Sequence, residues 1–143
     1  MNQNLYVVTA ISNPARYKSR YKLYHDFAKH VRDAGGILVT AEAAFGDREH
    51  LVVDEPMDVA VRTSHELWHK ENLLNLAIQS LPPDWQYVAW VDADVTFARP
   101  DWVIETIEQL QHFAVVQMFR ECLDMTPQHT IFKRHFGFGA QFV

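Results

Sequence analysis

With 143 residues, 48% of them hydrophobic and 13% aromatic, the chain is long enough for one domain with its own core and too apolar to be disordered. A formal net charge of −5 excludes a general nucleic-acid binder, which needs a basic face. It does not exclude an anionic nucleotide whose charge a metal ion offsets.

Cys122 is the only cysteine, so no intrachain disulfide can form. The N-terminus has no basic region followed by a long apolar segment, and no apolar run approaches about 18 residues. These features predict a cytoplasmic protein without a membrane span.

Leu5 to Ile11 is a compact apolar run and predicts a first strand, broken by Ser12-Asn13-Pro14. Tyr17 to Ala34 has a helical pattern, with Tyr24, Phe27, Ala28 and Val31 at spacings of three and four. Gly35-Gly36 ends that helix. A second strand follows at 37–41 and delivers Glu42 near its end. Ala43 to Glu49 reads as a loop with a Gly46-Asp47 turn. Short extended pieces are expected at Leu51 to Val53 and Asp58 to Val61. Thr63 or Ser64 can cap a helix reaching to about Leu81, with Leu67, Leu74, Ile78 and Leu81 as its apolar stripe. Leu81-Pro82-Pro83 stops it.

A third strand is expected at 87–92, a further helix from Trp102 to about His112, and a fourth strand at 114–119. Strands alternating with helices predict an α/β fold with a mainly parallel sheet and helices on both faces. Residues 120–143 show no period.

The densest signal is Trp85 to Phe97. An apolar run from Tyr87 to Val91 reads as a central strand and leads into Asp92-Ala93-Asp94. On a strand, residues i and i+2 share a side, so the two carboxylates would converge. Like charges that close repel unless a cation joins them. Oxygen ligands at a strand end suit a hard divalent ion, Mn²⁺ or Mg²⁺.

The segment Leu67-Trp68-x-Lys70-Glu71-x-Leu73-Leu74-Asn75-Leu76-Ala77-Ile78, then Leu81-Pro82, then Val88-Ala89-Trp90-Val91-Asp92-Ala93-Asp94, resembles the nucleotide-sugar glycosyltransferases of the GT-A fold, in their large family-2-like group. The similarity extends back to Val7-Val8-Thr9 and to Thr40-x-Glu42-x-x-Phe45-Gly46. It implies a Rossmann-like nucleotide-sugar-binding domain over residues 1–119, with 120–143 as a C-terminal tail of the same domain. It also implies roles. Asp94, with Asp92, would hold a divalent metal on the diphosphate of a nucleotide-diphosphate sugar. Thr9, Ala10 and Asn13 would border the nucleotide. Glu42 would contact base or ribose, and Lys70 and Asn75 would face the nucleotide or diphosphate. Transfer would be to an acceptor of unknown class: glycan, protein or small molecule.

The resemblance stops short of the family's acceptor-binding half. Nothing in the sequence matches its catalytic base, so the expected fold is a truncated one. A non-catalytic nucleotide-sugar-binding or assembly module on the same fold is the alternative. The tail aromatics Phe132, Phe136 and Phe142 would suit a homo-oligomer contact.

His65-Glu66-Leu67-Trp68-His69 is a competing signal, because H-E-x-x-H on a helix places two histidines one turn apart for zinc, with the glutamate as base. The extended form of the motif fails at Asn72 and Asn75. The aromatic residues Trp68, Tyr87, Trp90 and Trp102 read as packing.

Overall fold

The computed structural model describes residues 3–142. The chain divides into two compact units, Met1–Val103 and Ile104–Val143.

The first unit is a four-stranded parallel sheet with helices. Its strands are β1 (Leu5–Ser12), β2 (Ile37–Phe45), β3 (Val59–Thr63) and β4 (Tyr87–Trp90), in the order β3-β2-β1-β4. Its helices are α1 (Lys18–Asp33) and α2 (Lys70–Gln79). α3 (Trp102–Leu110) begins at its end. The expected α/β architecture with a parallel sheet is what forms.

β1 and β2 are the inner strands, and their near-continuous burial explains the apolar runs that announce them. On one face Tyr6, Val8, Val39, Ala41 and Ala43 pack against Leu73, Ala77 and Leu81 from α2 and its end. On the other face α1 buries the stripe Tyr24, Phe27, Ala28 and Val31. There the Tyr24 hydroxyl meets the Thr40 hydroxyl at 2.8 Å.

α1 ends in a Schellman turn. The N–H of Gly36 donates to the Val31 carbonyl and that of Gly35 to the Arg32 carbonyl, both at 3.0 Å. Gly35 supplies the positive φ of 87° that this turn needs.

The connection from β2 to its parallel neighbour β3 contains no helix, so its backbone donors need other acceptors. Two carboxylates supply them. Glu42, 3% exposed, accepts the N–H groups of Leu51, Val52 and Val53. Asp58 accepts those of Asp54 and Glu55 at 3.1 Å and that of Thr40 at 2.8 Å.

The structure corrects several expectations. Leu51 to Val53 is not a strand, whereas β3 is longer than expected at its C-terminal end. β2 runs through Phe45, four residues into the expected loop and its approach. β4 is an edge strand rather than a central one, and Trp90 is 64% exposed. Residues 114–119 form no strand. α2 starts at Lys70, because only its later turns have a core to face; Leu67 is 68% and Trp68 78% exposed. Of the four aromatics read as packing, Trp102 is 4% exposed and does pack.

The second unit contains the rest of α3 and an antiparallel hairpin of β5 (Glu121–Met125) and β6 (Ile131–Phe136), with a register shift at Asp124/Met125. The hairpin falls in the stretch without sequence period. Leu123 is the one half-buried residue of its two strands, so neither face carries the alternation that marks a half-buried strand. Arg134 pairs with Glu121, and His135 Nε2 lies 2.9 Å from Asp124.

Candidate functional site

The strand order reverses direction between β1 and β4: β2 and β3 extend the sheet to one side of β1, and β4 joins it on the other. In open parallel sheets such a switch point leaves a crevice at the carboxyl ends of the two strands, and ligands bind there. Everything that follows β1 and β4 therefore bears on the site.

Asp92 and Asp94 follow β4 directly. They do not continue the strand. The chain turns at once, with the Val95 N–H donating to the Asp92 carbonyl at 3.3 Å. The alternation expected to bring the two side chains to one side ends at Trp90, and the turn takes its place. Both aspartates are exposed at this switch point.

Three anchors hold the turn. The Val91 N–H donates to the Val8 carbonyl at 3.1 Å, extending the β1–β4 pairing by one residue. The Thr9 hydroxyl, fully buried, donates to the Val91 carbonyl at 2.7 Å. The Asp92 carboxylate pairs with the Lys70 ammonium at the start of α2. This pair is partly exposed, so its own contribution to stability is small, about 0–1 kcal/mol. Its consequence is geometric: a lysine and a carboxylate are paired where the chain leaves β4, and Asp94 is exposed two residues further on.

The residues after β1 are committed to shaping the chain. Asn13 is 6% exposed, and its amide both donates to the Tyr17 carbonyl at 3.0 Å and accepts the Tyr17 N–H at 3.1 Å. Arg16 takes a positive φ of 54° within this turn. Ala10 is half-buried against the core. Glu42 spends its carboxylate on residues 51–53, as described above. Asn75 is exposed on α2, five residues beyond Lys70, so it lies roughly 7 Å further along the helix axis. The fold thus brings Lys70 to Asp92 and the Thr9 hydroxyl to the start of the same turn, with Asp94 and Asn75 exposed.

The rim of β2 and β3 is closed by arginines. Arg62 Nη1 donates to the Gly46 and Arg48 carbonyls at 2.6 and 2.7 Å, and Arg48 donates to the Pro14 carbonyl. An open cleft of about 330 Å³ lies there, lined by Phe45, Gly46, Asp47, Arg48, Ser64 and Glu66. A second void, against Asn13, Glu42 and Arg48, holds only about 10 Å³. That is room for one water. Asp92 and Asp94 line neither cavity; they stand on the open surface.

His65 to His69 lie ahead of α2, so the two histidines do not present one turn of helix to a metal. The His69 ring contacts the His65 carbonyl, with Nε2 at 3.0 Å. The zinc arrangement expected of this pentad lacks its helix. The indole of Trp68 is used locally too: hydrogen-bonded to Glu71, it holds that carboxyl below the usual carboxylate range.

Among the described residues, no group of three or more His, Cys, Asp or Glu side chains is placed to hold a metal ion. No helix among them is long and apolar enough to cross a membrane. Comparison with known proteins finds no matching family model, no matching curated protein and no matching solved structure.

Proposed function

We propose that the first unit binds a nucleotide-diphosphate sugar at the switch point between β1 and β4, as the donor-binding part of a GT-A-type glycosyltransferase. The observation that carries this reading is the position of Asp92-Ala93-Asp94: an exposed acidic turn at the place where open parallel sheets bind ligands.

The donor set suits a hard cation. Mg²⁺ and ions like it are commonly held by one or two carboxylates, with phosphate oxygens and water completing the shell. Asp94 and Asp92 would hold the ion, Mn²⁺ or Mg²⁺. When bound, it would offset charge on the leaving nucleoside diphosphate. The chain's own residues then have separable tasks. Thr9 fixes the Val91 carbonyl and with it the start of the turn. Lys70 brings a second positive charge to Asp92, within reach of a diphosphate docked beside it. Glu42 and Asn13 hold the neighbouring loops in place rather than offering free polar groups.

A thermal-shift panel of UDP-, GDP- and CDP-sugars, each with Mn²⁺ or with EDTA, tests the reading. One nucleotide should stabilise the protein in the presence of metal only. Saturation at about 100 times Kd corresponds to about 2.7 kcal/mol. Asp94→Ala should abolish the effect. Failure of every nucleotide, or stabilisation that persists in Asp94→Ala, would overturn it. Release of the free sugar or its transfer to an acceptor then separates an enzyme from a binding module.

A further inference from the structure

The acidic turn is tied to the rest of the first unit from its far side as well. Phe97, three residues beyond Asp94, donates its backbone N–H to His30 Nε2 at 3.0 Å. The Phe97 ring lies 4.3 Å from that of Trp102, centroid to centroid, at an interplanar angle of 16°. The His30 ring is nearly parallel to both, 6.2 Å from Phe97 and 6.1 Å from Trp102. His30 sits in the last turn of α1, sixty-seven residues away in sequence.

A backbone amide can only donate. Nε2 must therefore be the acceptor in this bond, which requires the imidazole with its proton on Nδ1. An imidazolium has no acceptor nitrogen. Protonation would replace a hydrogen bond by two N–H groups facing each other.

We propose that His30 is a positioning residue for the acidic turn: its neutral imidazole latches the segment after Asp94 to α1, and protonation of Nε2 releases that segment. Charged groups flank the latch on both elements. On α1, Asp26 and Asp33 lie one turn either side of His30, each paired with a lysine of the same helix. On the loop, Asp94 precedes Phe97, while Arg99 and Asp101 follow it and form a two-point pair with each other. The consequence for ligands is that acidification loosens the Asp92–Val95 turn. That consequence rests on the donor-site reading; the latch does not.

Hydrogen exchange at the Phe97 amide, followed by NMR without any ligand, reads the latch directly. In the wild type its protection should fall about tenfold or more between about pH 8 and about pH 5, after correction for intrinsic exchange. His30→Gln places an amide oxygen near Nε2 and does not titrate, so it should keep protection across that range. His30→Phe keeps a ring for stacking but offers no acceptor, so protection should be lost at both ends. An equal pH profile in wild type and His30→Gln would overturn the proposal, and so would full protection in His30→Phe. If His30→Phe fails to fold, the comparison with His30→Gln decides alone. Mn²⁺ binding that weakens in step with lost Phe97 protection would extend the latch to the site. Mn²⁺ binding that is absent in all forms would count against the donor-site reading and not against the latch.

Discussion

Glu42 shows how one residue can suggest a ligand contact in sequence and act as a structural bracket in the fold. An acid near the end of an inner strand matches a nucleotide-contacting position by resemblance. In the structure its carboxylate is 3% exposed and accepts the N–H groups of residues 51–53, standing in for the helix that the β2–β3 crossover lacks. Hydrogen bonds to a charged acceptor are the stronger kind, and orphaning buried donors is costly. Glu42→Ala should therefore lower unfolding free energy by roughly 2–4 kcal/mol in a denaturant melt. A loss of nucleotide affinity at unchanged stability would show the opposite role. Lys70 makes a different prediction. It shares Asp92 with any bound cation, so Lys70→Gln should tighten Mn²⁺ alone while weakening the metal–nucleotide complex, measurable by titration calorimetry. Equal effects on both would remove Lys70 from the site.

At the scale of elements, burial decided what the sequence could reveal. β1 and β2 were legible because they are continuous apolar runs buried in the core, and α1 because its apolar residues recur at helical spacing and find that core. β3 was read short because Val59–Thr63 alternates between half-buried and exposed and so carries a weaker signal. The start of α2 was misplaced because Leu67 continues the helical spacing on paper but has nothing to pack on. Asp92 and Asp94 were visible as a pair; that a turn, not a strand, presents them was not, since Val91 extends the pairing and the chain then bends.

The α1–β2 contact gives a test with a definite sign. Burial raises the Tyr24 pKa above its ordinary 10.0, against the opposing hydrogen bond from Thr40. A raised folded pKa means that the folded state holds its proton longer than the unfolded one. That stability is complete below about pH 10 and is lost as pH rises through the folded value. Tyr24→Phe should cost about 0.5–1.5 kcal/mol at neutral pH through the lost hydrogen bond, and should blunt the alkaline loss seen in pH-dependent melts. An alkaline limb of the same slope in both proteins would assign the effect elsewhere.

The molecule consists of two units of unlike construction. The first has a sheet covered on both faces, and its inner strands should carry the slowest-exchanging amides. The second is built on a two-stranded hairpin, a motif that is marginal alone in water. Its Phe132 is 76% exposed and its Phe138 72%. Hydrogen exchange should show β1 and β2 opening only with global unfolding, and β5 and β6 opening well before it; equal protection in both would contradict this ordering. The order of the parallel strands could not be read from their sequences, because each inner strand is apolar throughout and offers no register of its own. Only the fold shows that β1 and β4 are neighbours and that the acidic turn lies at the switch point.

Paramagnetic Mn²⁺ tests that placement most directly. Titrated into ¹⁵N-labelled protein with a stabilising nucleotide sugar, it should broaden the amides of Asp92 to Val95 and of the turn after β1 first. The broadening should vanish in Asp94→Ala while the rest of the spectrum stays folded. Broadening centred on His65 to His69, or spread evenly over the acidic surface, would contradict a cation site at the β1–β4 switch point.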